Sequence, residues 1–500
     1  MSNEKTEIPA IGLIGLLRFS WRQLTSMRTA LILLLMLGIA AIPGSLIPQR
    51  GQNPMKVQEV FTQSPGLAKF YDALSLFDVY GSPWFSAIYI LLFLSLIGCV
   101  LPRSLEHYKA ARALPPATPK NLNRMEHYSD WQKAGDEIQK AEFWFKKNRF
   151  RVRAEGNSLS AEKGFLRETG NLLFHLALIL ILFGVSLGAL FGMKGEAIVN
   201  VGETFVNTAT SYDSISLGRL SNESSLAPFT IKVDRFTAKY DPITNAPEDY
   251  TLEVTSKKSP SSKDVKKIIK VNSPLGFGST NVYLQANGYS PIVTVRDKSN
   301  SVVFQGPVPF LPQDANLTSI GAIKVPDMKP QIGFVASFLP TAARDKVRGG
   351  ISAYPEALDP SLLLSVWRGD LGLDQGVPQS VYRINTSKME QIGLRSLKPG
   401  QVYTFADGSI SFDGFTPWVN LQIVRDPGKG YALLGSVLAI AGLLASLFGR
   451  RRRIWIRVTE QGRVEVAGLA KNSVSGLFDE MKLFVASIHG TSLERKPERR

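Results

Sequence analysis

Cysteine is almost missing from this chain: its 500 residues include one, Cys99, beside four histidines. A lone thiol excludes an intramolecular disulfide, a Cys-x-x-Cys redox motif and a thiolate metal cluster. Any part facing an oxidising compartment must therefore fold without cross-links. No Gly-x-x-x-x-Gly-Lys-Ser/Thr occurs, which argues against a nucleotide-driven motor, and Gly276-Phe277-Gly278 precedes no helical pattern. Between Met193 and Lys429 there is neither histidine nor cysteine. That removes Cys-His catalysis, Ser-His-Asp catalysis and His-ligated zinc from this stretch. Its carboxylates, such as Asp234, Asp241 and Glu248-Asp249, are unclustered and read as surface or turn residues. No tandem repeat is visible. The first apolar run leads into no small-residue cleavage pattern, so no cleavable signal is expected.

Charge of one sign dominates, at +16 net. A basic chain can bind nucleic acid, but here the Lys and Arg residues cluster beside apolar runs, as membrane orientation produces. No nucleic-acid partner is expected. The apolar runs predict four transmembrane helices, at 29–47, 84–101, 170–192 and 430–449. An N-terminal segment (1–28) precedes them, with Leu13, Leu17, Trp21 and Leu24 on one face of an interfacial helix. A short connection (48–83) follows the first span, with a short helix around Leu67–Leu76 and Trp84 as an interfacial anchor. Pro102 and Arg103 are expected to close the second span. Residues 102–169 then form a basic loop, with about fourteen Lys and Arg between Arg103 and Arg167, and residues 450–500 a basic tail. By the positive-inside rule both termini and the basic loop lie in the cytoplasm, and residues 193–429 lie outside the cell membrane. In the tail, Ile454–Val458 and Val464–Ala467 alternate like a small hairpin, and Gly476–Ile488 has the pattern of an amphipathic helix.

The outside region reads as β-structure. Ala197–Val201, Phe229–Val233, Tyr250–Val254 and Ile292–Val295 have strand length and pattern. Asp407-Gly408 and Asp413-Gly414 read as hairpin turns, Ser256–Asp264 as a solvated loop, and Pro340–Val347 as the one place for a helical turn. The expected fold class is an α-helical integral membrane protein with four transmembrane helices and a large, mainly-β, sandwich-like extracytoplasmic domain.

One residue stands out. His175 lies in the third span, about one turn inside its first end, where an ionisable group is costly and usually faces a functional interior. Either it hydrogen-bonds a neighbouring helix, or it is a ligand or relay; imidazole is a common axial ligand of haem iron. His107, His127 and His489 fall in basic flanking regions and read as solvated; Cys99 reads as a small packing residue.

The ordered motifs resemble those of the ResB proteins of System II cytochrome c biogenesis. Gly44-Ser45-Leu46-Ile47-Pro48-Gln49 resembles the family's exit from the first span. Phe77-Asp78-Val79-Tyr80 with Trp84-Phe85, and Leu96-Ile97-Gly98-Cys99-Val100-Leu101-Pro102-Arg103, resemble its second-span signature. Asn272-Ser273-Pro274-Leu275 with Tyr283 and Gln285 resembles a segment of its outside domain, and Leu421–Gly428 resembles the closing strand. Gly170-Asn171-Leu172-Leu173-Phe174-His175 resembles its third span, whose histidine is regarded as a haem ligand. The resemblance implies that His175 binds the iron of haem b, a transported substrate, with the second axial ligand from a ResC/CcsA-type polytopic partner. It implies haem export and support for covalent attachment to apocytochrome c outside the membrane, as at most the accessory subunit of a haem lyase. The alternative is a membrane-anchored sensor, scaffold or permease subunit with a peptide-binding β-domain, no haem and a packing role for His175.

Overall fold

Long apolar segments coil into helices because, in lipid, every backbone polar group must bond within its own segment. The computed structural model describes residues 12–125, 127–132, 135–347, 349–373, 380–448, 451–470 and 474–489. Residues 1–11, residues 490–500 and the His489 side chain lie outside the described residues. The chain divides into two compact units, Met1–Val185 with Lys429–Arg500, and Ser186–Gly428.

In the first unit, α1 (Leu13–Leu24) precedes α2 (Met27–Leu46), α3 (Pro54–Gln63) and α4 (Pro65–Ala73) follow, and α5 spans Pro83–Arg112. Then come α6 (Glu137–Lys147), α7 (Leu166–Phe191), α8 (Lys429–Phe448) and α9 (Val474–His489). Among the described residues, four helices (α2, α5, α7 and α8) are long and apolar enough to cross a membrane. Two differ at their ends from the sequence reading. Pro102 does not close the second span: α5 runs through it to Arg112. A proline inside a helix costs about 3 kcal/mol, but the turns beyond it make contacts that hold the helix on course. His107 lies 2.9 Å from the Thr169 hydroxyl, and α7 begins a turn early, at Leu166, to present Thr169 and Glu168.

The connection after α2 is a small packed cap rather than a loop with one helix. Gln49 is buried and brackets it: its Nε2 donates to the Ile47 and Leu76 carbonyls, and its Oε1 accepts from the Val79 amide at 3.0 Å. Gly44 lies under the Tyr80 ring, where an added Cβ would meet the ring carbon at 2.8 Å. The two sequence motifs around Gln49 and Phe77 thus form one junction.

The residues read as a basic loop and a separate basic tail fold together. Strands His127–Gln132, Arg463–Ala470, Arg452–Val458, Ser158–Lys163 and Arg151–Glu155 lie side by side in that order, each antiparallel to its neighbour. Helices α6 and α9 cover one face of this sheet around Phe145, Leu159, Ile456 and Phe484, with the Phe145 and Phe484 rings stacked at 4.6 Å. The expected hairpin and amphipathic helix of the tail are therefore parts of a domain completed by the earlier segment. Much of the basic charge is neutralised there. Glu162, buried in the sheet, accepts from Arg451 and Arg453, both at 2.7 Å, and Arg451 also reaches Glu168 at 2.6 Å on the first turn of α7. His107 and His127 are not solvated as expected. His107 is packed between Thr169, Glu168 and the Phe165 ring, and His127 packs on Phe478.

Helices α7 and α8 meet along small residues. Gly170, Ala177 and Gly184 are the buried positions of α7, and Gly435, Ala439 and Gly442 those of α8. A Cβ on Gly170 would lie 2.5 Å from the Ser446 amide nitrogen and 2.6 Å from the Gly442 carbonyl. Backbone contact of this kind replaces the hydrophobic driving force that lipid cannot supply.

The second unit is built on two long antiparallel strands, Thr280–Asp297 and Gly408–Arg425, paired along their length. Among the described residues they form the centre of a seven-stranded sheet. A four-stranded sheet packs at one end of the pair, around Ile231, Val254, Val282 and Leu421. A five-stranded sheet packs at the other, around Val293, Phe334, Leu364 and Phe412. The result is two sandwiches sharing one sheet. Trp418 is buried between them in sequence, its Nε1 donating to the Phe310 carbonyl at 3.1 Å. Its indole lies over Gly288, where a Cβ would meet Cζ2 at 2.5 Å. Asp407 ends a hairpin as the sequence suggests, but Asp413-Gly414 does not. It forms a bulge within the long strand, where the register shifts opposite Ile292 and Val293 and Thr294 donates to Asp413 at 2.6 Å. The expected helical turn at Pro340–Val347 is instead a strand, Ala342–Asp345, paired with Gly349–Ser352.

Two consequences are measurable. Glu162→Gln leaves two guanidinium groups beside a neutral amide, and hydrogen exchange should show Ser158–Lys163 losing about 3 kcal/mol of protection; unchanged exchange would contradict the ionic knot. Gly170→Val forces α7 from α8 and should lower the stability of the full chain in detergent by about 2 kcal/mol, measured as a shifted thermal midpoint; an unshifted midpoint would contradict the seam.

Candidate functional site

The site begins with the seam just described. At about 100° per residue, His175 lies roughly 150° around α7 from Gly170 and Ala177. The face that presses on α8 therefore turns the imidazole the other way. On that side α2, α5 and α7 enclose a cavity of about 350 Å³. Met27, Ala30, Leu31, Leu34 and Leu37 line it from α2, and Leu92, Leu96, Cys99, Val100 and Arg103 from α5. Helix α7 contributes Asn171, Leu172, His175, Leu178, Ile181 and Leu182. Each set recurs at helical spacing, so each helix gives one stripe. Part-buried polar contacts tie α5 to its neighbours: Tyr89 Oη donates to the Leu182 carbonyl of α7 at 2.5 Å, and Ser95 Oγ to the Leu24 carbonyl of α1 at 2.5 Å.

His175 Nδ1 lies 2.7 Å from the Asn171 carbonyl oxygen, one turn back on α7. A carbonyl can only accept, so the proton of the neutral ring sits on Nδ1 and the lone pair on Nε2. This is the arrangement in which an imidazole serves as a metal ligand: one nitrogen held by a backbone acceptor, the other free to coordinate. Phe174 meets the ring edge-on, with centroids 5.3 Å apart. Cys99 is turned away from such chemistry, since its thiol donates to the Thr25 carbonyl at 2.6 Å. Among the described residues no cluster of three or more His, Cys, Asp or Glu side chains could hold a metal ion. Among the described residues the cavity lining thus presents one imidazole, that of His175.

A second cavity, of about 390 Å³, lies along α5, α7 and α8, lined by Phe93, Leu176, Leu180 and Leu438 among other apolar residues. It offers no polar group, so chemistry points to the first. Sequence reasoning singled out His175 but not Asn171, whose backbone carbonyl has no sequence signal. It read Arg103 only as the end of a span. The spacing Leu92, Leu96, Cys99, Arg103 marks that residue as part of the same stripe.

Comparison with known proteins agrees with the ordered motifs. One relative, a cytochrome c biogenesis protein CcsB of Microcystis aeruginosa, is 26% identical over 447 residues, covering 86% of this chain and 87% of the relative. The CcsB of Paulinella chromatophora is 24% identical over 483 residues, 93% of this chain and 98% of its own length. A Synechococcus CcsB is 25% identical over 476 residues, 93% and 96% of the two chains. The ResB-like family model matches residues 27–482, from the first turn of α2 into α9, and the chain belongs to that family.

Proposed function

We propose that the chain acts in System II cytochrome c biogenesis, binding haem b at His175 and, with a ResC/CcsA-type partner, passing it across the membrane to apocytochrome c. The observation that carries this reading is the contact of His175 Nδ1 with the Asn171 carbonyl, which leaves Nε2 unbonded on a ring that lines a largely apolar cavity. The relatives named cytochrome c biogenesis protein CcsB support the pathway. The basic residues of α1, of the five-stranded domain and of the segment after α8 support an orientation with both termini in the cytoplasm and the large β domain outside. Haem would then enter near the cytoplasmic end of α7.

Each part of the chain has a physical share. His175 holds the iron, and the stripes of α2 and α5 hold the porphyrin face away from water. A porphyrin is larger than the cavity, and one imidazole fills one axial position. Both points favour a partner that completes the pocket and supplies the second ligand. The attachment itself uses groups this chain does not provide: the thiols of apocytochrome c add across the haem vinyl groups, each S–H becoming a thioether and a new C–H bond. The chain is accordingly an accessory subunit of the haem lyase, and the rival reading as a sensor or permease subunit leaves the ordered imidazole without a task.

The test is optical. Chain purified with its partner should show a Soret band, and His175→Ala should retain about tenfold less haem, with added imidazole restoring the band. A colourless wild type, or a variant that keeps its haem, would overturn the proposal.

A further inference from the structure

The cavity beside His175 is apolar except at one end. There Arg103 of α5 lines it with Met27, the first residue of α2, and Asn171, one turn before His175 on α7. Several arginines of this unit are matched by carboxylates, among them Arg451 and Arg453 by Glu162, and Arg457 by Glu465. Among the described residues Arg103 forms no ion pair, and its guanidinium bonds only the Met27 sulfur, at 3.8 Å. A thioether is a weak acceptor. Most of the fork of N–H donors is therefore left for an anion, at the rim of a cleft shaped for an apolar body.

We propose that Arg103 binds a carboxylate of the porphyrin whose iron His175 holds, an inference that rests on the haem reading of this cavity. The chemistry of the ligand matches the order of the side chains. Haem b carries its metal at the centre and both propionates along one edge; the cavity places the imidazole inside and the cation at the rim. Pairing the acid edge with Arg103 fixes how the ring lies in its plane, so the propionates stay at the rim and the rest of the macrocycle is directed among α2, α5 and α7. The cavity then selects a metalloporphyrin by its acid groups as well as its metal. An acidic phospholipid has the same elements, an apolar body and an anionic head, and the experiment must separate the two.

The full-length chain, produced with its ResC/CcsA-type partner in nanodiscs of phosphatidylcholine, is titrated with haem b and with its dimethyl ester. Wild type should bind the free acid about tenfold more tightly than the ester. Arg103→Gln should bind both alike, at the level of the ester, and Arg103→Lys should keep part of the preference. Arg28→Gln, which removes a cation from the neighbouring end of α2 without touching the cavity lining, should leave the preference intact. Each variant is first shown to keep the wild-type melting temperature, and Arg103→Lys carries the comparison should Arg103→Gln fail to fold. Equal binding of acid and ester by the wild type overturns the proposal, as does a preference that survives Arg103→Gln. So does a preference abolished by phosphatidylglycerol, which assigns the cation to lipid. His175-dependent haem uptake without acid preference defeats only the role of Arg103, whereas no uptake by the wild type defeats the haem reading beneath it.

Discussion

A single hydrogen bond inside a membrane-length helix sets the chemistry of His175. The Asn171 carbonyl already belongs to the backbone ladder of α7, and its second lone pair takes the Nδ1 proton of His175. In water such a bond is worth about 1 kcal/mol. In a low-dielectric span it does more than stabilise: it fixes which nitrogen of a neutral ring is bare. Everything proposed for the chain follows from that lone pair and from the cavity that His175 lines.

The rest of the first unit can be understood as holding that ring in place. The small residues of α7 and α8 bring the two backbones together, and because Gly170 and Ala177 are opposite His175 on the helix, their packing sets its rotation. The five-stranded domain acts on the same helix from its end. Arg451, just after α8, and His107, on the extension of α5, both meet the first turn of α7 at Glu168. Three membrane-length helices are thereby tied together two turns from the imidazole. The second unit has its own logic, two sandwiches sharing one long pair of strands, with Trp418 wedged on Gly288 at the join.

How much of this could be read from the sequence varies with the range of the interaction. The four spans were legible because lipid imposes a length and a composition on each segment alone. His175 was legible because an ionisable residue among Leu and Ile conflicts with its surroundings. Of the two long strands only Ile292–Val295 showed a strand pattern, and the bulge at Asp413-Gly414 read as a turn because Asp-Gly suits both. The five-stranded domain was hidden for a different reason. Its strands come from segments almost three hundred residues apart, and the charges that fold it, Glu162 with Arg451 and Arg453, read locally as a solvated basic flank. Likewise, Pro102 is a helix stop by local rules and is overridden by contacts of α5 with α7 that no local pattern shows.

The most direct measurement is pulsed electron paramagnetic resonance on the ferric haem complex, with ¹⁵N-histidine in this chain and natural nitrogen in its partner. The wild-type complex should show a hyperfine coupling from one ¹⁵N imidazole, absent from His175→Gly reconstituted with unlabelled imidazole. A haem signal without ¹⁵N coupling, or a coupling that survives the loss of His175, would contradict the claim that this ring holds the iron.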